Sequence, residues 1–221
     1  MQKEEYFTGN NLAEKSAAML AELAELRLAR PRPFRPENSA LLLIDLQDWF
    51  LRPESRAFVP AAAAIMPNVL ALAGAFSGCG LPVICTRHLD GHSAGNMMLR
   101  WWQAAIQEND PLSNLAQELR LPAGAPILIK SQYDAFLGTR LKEELRDLQV
   151  KRLVICGLTT HLCCESTARG AFMRGFEIYF PLDATATYHE KLHLATLLNL
   201  AHGFAAVMSC SEILGGLSAG K

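Results

Sequence analysis

Six short, unbroken apolar runs alternate with helix-patterned segments along most of this chain, and no other feature narrows the possible folds as much. The runs are Ala40 to Ile44, Pro82 to Thr86, Pro126 to Ile129, Leu153 to Cys156, Glu177 to Phe180 and Ala205 to Met208. Between them, residues 57–77, 139–148, 163–174 and 190–202 read as helices. A strand buried on both faces is continuously hydrophobic, which is the mark of a parallel sheet covered by helices. Parallel neighbours require crossover connections, and these are right-handed. The pattern predicts an α/β protein: a three-layer α/β/α sandwich with a mainly parallel, Rossmann-like sheet of about six strands.

In such open sheets, sites lie beyond the carboxyl ends of the strands. Asp45 follows Ile44, Arg87 and His88 follow Thr86, and Lys130 follows Ile129. A carboxylate, a cation and, after the fourth run, a cysteine-bearing turn therefore share one rim. Charges at the ends of buried strands are costly unless paired, so mutual contact is expected.

The stretch from Leu153 to Ala168 reads as a buried strand, a Gly/Thr turn and a helix whose first turn begins near Cys163 and Cys164. A thiol placed there meets unpaired backbone N–H groups and the positive end of the helix dipole, both of which favour thiolate. Gly157 ends the strand, and Thr159, Thr160 and His161 form a polar turn. Ala168, Ala171 and Phe172 share one face of the helix, which stops at Gly175. Cysteine more often packs as a small hydrophobe, so it is the position on the rim that singles these residues out.

Residues 1–37 differ in character from the domain at 38–221. Leu12, Met19, Leu20, Leu23, Leu26 and Leu28 form a helical stripe from about Asn11 to Ala29, which must stop at the proline-rich Arg30 to Pro36. An apolar stripe must be covered, either by the body of the same subunit or by a neighbour. The arm makes a homo-oligomer, a dimer or tetramer, the expectation.

A length of 221 residues, half of them hydrophobic, with a net charge of -1, suits one well-buried domain and gives no general field for nucleic acid. The six cysteines lack C-x-x-C spacing and fit reduced thiols better than a disulfide framework. The charged Met1 to Glu5 lacks the apolar segment of a signal peptide. The apolar stretch from Val59 to Phe76 is interrupted by Pro60, Pro67, Asn68 and Gly74, which argues against a membrane span. A cytoplasmic protein without membrane contact is expected.

Three segments in this order, Leu42 to Phe50, Ile129 to Phe136 and Gly157 to Ala168, resemble the isochorismatase-like cysteine hydrolases. That superfamily includes nicotinamidases, N-carbamoylsarcosine amidohydrolase and ureidoacrylate amidohydrolases, and the likeness covers roughly residues 38 to 215. The resemblance implies a triad of Asp45, Lys130 and Cys163, with Cys164 as packing where relatives commonly carry valine. It also implies a cis peptide between Leu158 and Thr159, with the N–H groups of Thr159 and Cys163 holding an oxyanion. The expected substrate contacts are Gln47, Phe50, Arg87, His88, Trp101, Tyr133, Thr160 and His161. Arg87, His88 and Arg100 are placed to bind a substrate carboxylate, with a rim ion pair as the alternative. The expected activity is cysteine-dependent hydrolysis of a small-molecule amide or N-carbamoyl bond through a thioester, with no cofactor.

Other readings compete. Vinyl ether hydrolysis of the isochorismatase type needs acid and no thiol, so Cys163 favours amide chemistry. Asp90-Gly-His92 resembles the Asp-x-His metal site of nicotinamidases, but no histidine lies between His92 and His161 to complete it. Asp90 and His92 are therefore expected in a solvated loop, with no metal. His189-Glu-Lys-Leu-His193 matches H-E-x-x-H, yet His189 falls at or before the helix start, a poor context for zinc. A non-catalytic binding protein is the remaining alternative, disfavoured by the full triad at strand ends.

Overall fold

All six predicted runs become strands of one sheet in the computed structural model, which describes residues 2–90 and 96–219. Along the chain the elements are α1 (Leu12–Glu22), α2 (Ala24–Ala29), β1 (Ser39–Ile44), α3 (Asp48–Leu51), α4 (Ala62–Gly78), β2 (Val83–His88), α5 (Met97–Trp102) and β3 (Ile127–Lys130). They continue as α6 (Leu141–Asp147), β4 (Arg152–Leu158), α7 (Glu165–Met173), β5 (Glu177–Pro181), β6 (Thr185–Ala186), α8 (Glu190–Gly203), β7 (Ala206–Met208) and α9 (Cys210–Ala219).

The strand order is β3-β2-β1-β4-β5-β7, with the short β6 paired to the end of β4, and every pairing in the sheet is parallel. β1 is central and wholly buried, with Leu41 opposite both Val83 and Val154. The connections run outward to one side through β2 and β3, then cross back to β4. The order thus reverses between β1 and β4, and a crevice opens there beyond the strand ends.

Helices cover the sheet. α4 packs on β1, β2 and β4 and against α9, while α7 packs on β5 and α8. Pro67 lies inside α4 without ending it. Its missing N–H costs one helical bond, offset by burial of Ile65, Val69, Leu72 and Phe76 on the same helix.

Two elements differ from the sequence reading. The stripe expected as one helix from Asn11 to Ala29 is divided at Leu23, which is fully buried between α1 and α2. The bend seats Leu23 in the core while Leu28 stays exposed. α9 had no assigned pattern in the sequence; it docks through Ile213 and Leu217, and Gly216 lets it lie against the Phe34 ring. The N-terminal arm packs on its own subunit, with Tyr6, Phe7, Met19 and Leu23 buried. Among the described residues no helix is long and apolar enough to cross a membrane.

Candidate active site

Asp45 is the first residue past β1, in the left-handed conformation at φ 48 that aspartate tolerates better than most side chains. Thr86 of β2 fixes it twice, accepting from the Asp45 N–H at 3.1 Å and donating to Oδ1 at 2.7 Å. Lys130 ends β3, and its Nζ stands 2.7 Å from Asp45 Oδ2 with both side chains sealed from solvent. The same ammonium donates to the Gln132 carbonyl at 2.8 Å and to Cys163 Sγ at 3.3 Å, and lies 3.3 Å from His88 Nδ1. Residues separated by 85 and 33 positions in sequence thus meet at one point, the switch between β1 and β4.

Burial pulls the pKa of Lys130 down, but the neighbouring Asp45 carboxylate and Cys163 sulfur outweigh it and hold the ammonium above the usual lysine range. For Cys163 the outcome corrects the sequence expectation. Burial pushes its thiol up to about 12, helped by Asp45 and only partly countered by Lys130. Desolvation in the crevice thus acts against the N-terminal dipole and favours the protonated thiol. The turn itself differs from a simple helix start: Thr160–Cys164 form a wide π-type turn that precedes α7, with the N–H groups of Leu162 and Cys164 both donating to the Thr159 carbonyl. The Leu158–Thr159 peptide is cis. Cys164 is fully buried behind Cys163.

Above the sulfur lies a cavity of about 510 Å³, walled by Trp49, Phe50, Trp102, Tyr133 and Tyr188, with Cys163, Thr159 and His161 among the residues that line it. Trp102 Nε1 donates to the Tyr133 hydroxyl at 2.7 Å, joining two of these rings. Burial lowers the pKa of His161, whose Nδ1 faces the Thr187 hydroxyl at 2.5 Å. The Thr159 hydroxyl is buried, with no hydrogen-bond partner among the described residues.

Of the expected substrate contacts, Phe50, His88, Tyr133 and His161 line the cavity. Four others are engaged elsewhere. Gln47 spends its amide on the backbone, donating to the His88 and Ser113 carbonyls and accepting from the His88 N–H, so it ties strands together. Arg87 points to the opposite face of β2 from His88, as strand periodicity requires, and donates to Ser113 and Glu108. Thr160 is buried against His193 Nδ1 at 3.0 Å. Trp101 is exposed, and its neighbour Trp102 takes the cavity position, since adjacent helical residues face different ways.

Asp90 is not in a solvated loop. It is buried, with Oδ1 at 3.1 Å from His88 Nε2 and Oδ2 accepting from the Ile106 N–H at 2.8 Å. Burial would raise its pKa, but these two donors bring it below the usual carboxylate range. His92 lies outside the described residues. Both Asp90 oxygens are committed, one to His88 and one to the Ile106 N–H. In the H-E-x-x-H segment, His189 caps α8 and pairs with Glu4 at 2.8 Å, whereas His193 is buried beside Tyr6 and Thr160.

Sequence reasoning missed Trp49, Trp102, Tyr188, Lys3 and Arg56. Trp49 adjoins Phe50 in sequence, and Tyr188 closes the segment after β6. Nothing in the pattern of residues 1–10 marks Lys3, which reaches the cavity only because the arm folds back.

A family model described as Isochorismatase domain matches residues 39–212. Nicotinamidase 3 of Arabidopsis thaliana is 37% identical over 188 residues, covering 83% of this chain and 91% of that protein. The crystal structure of a cysteine hydrolase from Pseudomonas syringae pv. phaseolicola 1448A matches the fold with a TM-score of 0.81 at 22% identity, over 86% of this chain and 97% of that one. N-carbamoylsarcosine amidase from Thermoplasma acidophilum matches with a TM-score of 0.69 at 25% identity, over 78% and 96% of the two chains.

Proposed function

This chain belongs to the isochorismatase family of hydrolases, and we propose that it cleaves the C–N bond of a small amide or N-carbamoyl compound with Cys163 as nucleophile. The observation that carries this reading is the placement of Lys130 Nζ at 2.7 Å from Asp45 and 3.3 Å from Cys163 Sγ, at the floor of an aromatic cavity.

Burial raises the Cys163 thiol, so attack calls for a base near the sulfur. Asp45 takes the Cys163 proton as the sulfur bonds to the carbonyl carbon, and Lys130 compensates the negative charge that spreads over sulfur and carboxylate. The N–H groups of Thr159 and Cys163 hold the oxyanion, a kind of contact worth about 3 kcal/mol. Asp45 returns the proton to the leaving nitrogen as the C–N bond breaks, releasing ammonia or amine and leaving a thioester. Asp45 then takes a proton from water as its oxygen attacks the thioester, and the proton passes to the departing sulfur.

Nicotinamide is a second reading within this class. It is supported by the likeness to Nicotinamidase 3 and by walls of flat rings suited to an aromatic amide. The test is ammonia release from nicotinamide, small amides and N-carbamoyl amino acids. Cys163→Ala should abolish it, and Cys164→Ala should retain most of it. Release that persists in Cys163→Ala, or equal loss in both variants, overturns thiol catalysis at this position.

A further inference from the structure

The charges that line the cavity do not balance. Lys3, from the segment before α1, and Arg56, from the loop between α3 and α4, both border it. Lys3 Nζ donates to the carbonyls of Arg56 at 2.7 Å and Phe58 at 2.8 Å, and sits 4.9 Å from the centre of the Tyr188 ring. Arg56 donates to the Gln103 carbonyl at 3.1 Å. Among the described residues, neither cation has a carboxylate for an ion-pair partner. Asp90 is the acidic residue on the cavity lining, and both its oxygens are already spent on His88 and Ile106.

Two like charges therefore border the same cavity, and partial burial and the Arg56 charge lower the pKa of Lys3. The arrangement is fixed in advance. The Glu4 N–H donates to the Tyr188 carbonyl at 2.8 Å, and the Glu4 carboxylate pairs with His189 at 2.8 Å, which pins the chain next to Lys3. Both cations are exposed to solvent at the edge of the cavity, where an entering substrate would meet them.

We propose that Lys3 and Arg56 form a subsite for an anionic group of the substrate, so that the enzyme takes small amides carrying a carboxylate remote from the scissile bond. Lys3 lies outside the matched family domain at 39–212, so an arm of this chain sets the charge selectivity of the site. For its catalytic half the inference rests on the amidohydrolase reading above.

The test compares 3- and 4-carbamoylbenzoate with their methyl esters, which keep the ring and the scissile amide and remove the charge. In the wild type, kcat/KM should favour the better carboxylate over its ester by about tenfold or more. Arg56→Gln and Lys3→Gln should each reduce that ratio several-fold, their combination should bring it near one, and Lys3→Arg should restore it. Calorimetric binding to Cys163→Ala should show the same preference without turnover. A wild-type ratio near one for both isomers, or a ratio unchanged in the double variant, overturns the subsite while leaving the hydrolase intact. Binding that prefers the carboxylate and loses this preference in Lys3→Gln, with no turnover of any compound, supports the subsite and overturns the amidohydrolase reading instead.

Discussion

Replacing Gly157 with alanine should damage stability and activity together. Gly157, the last residue but one of β4, lies directly beside Ile44 of β1, at φ +116, a conformation that L side chains rarely adopt. A Cβ built there would stand 2.2 Å from the Ile44 carbonyl oxygen, 2.8 Å from its nitrogen and 2.9 Å from its carbonyl carbon. The backbone strain alone costs about 1–2 kcal/mol. Relieving the clash requires the central strands to part by roughly 1 Å in a close-packed interior, which brings the expected total to about 4 kcal/mol. For a chain of this size that lowers the melting temperature by about 10 °C. Ile44 is followed by Asp45, and Gly157 leads to Cys163, so the same movement pulls base from nucleophile and should lower kcat by about a hundredfold. Urea unfolding followed by circular dichroism, with ammonia release on the same samples, measures both. Gly175→Ala is the control, because Gly175 also has positive φ, at +88, but nothing within 4 Å of an added Cβ. It should cost about 1 kcal/mol and leave turnover intact. If Gly157→Ala matches that control in both measurements, the close approach of β1 and β4 does not constrain the site as argued.

Lys130→Met should abolish turnover and cost about 3–5 kcal/mol in urea unfolding, because it strands the sealed Asp45 carboxylate without its partner; stability within 1 kcal/mol of wild type would show that the pair is not needed to compensate the buried charge. Alkylation of Cys163 by iodoacetamide, followed by mass spectrometry, should rise about tenfold per pH unit through pH 10, since burial pushes its thiol up to about 12; a plateau below pH 8.5 would mean a thiolate at rest. Burial pushes His193 down to about 3. The unfolded chain takes up that proton near pH 6.5, so it binds more protons than the folded chain across the window between, and stability falls as pH is lowered through it, by about 2 kcal/mol from pH 6.5 to 5. Urea midpoints at pH 7 and 5 should show that slope in the wild type and a shallower one in His193→Asn; identical slopes would remove His193 as the cause.

The alternation of apolar runs and helical segments was enough to read the parallel sheet, because a strand buried on both faces has no polar side to disguise it. β6 was illegible for the opposite reason: two residues carry no period. Position on the rim also marked Asp45, Lys130 and the Cys163 turn, since charged and reactive residues directly after apolar runs have one economical place to go.

Sequence position did not reveal the state of the sulfur or the makeup of the cavity. The helix start suggests a thiolate, but whether the N-terminal dipole or desolvation prevails depends on how much solvent the folded crevice admits, and here burial prevails. Which of Trp101 and Trp102 turns inward depends on where α5 docks. That Lys3 borders a cavity built around Cys163 depends on the arm folding back across the body. Local pattern is a property of neighbours along the chain and can be read from it. Solvation, side-chain facing and contacts between distant segments are fixed only when the layers pack together.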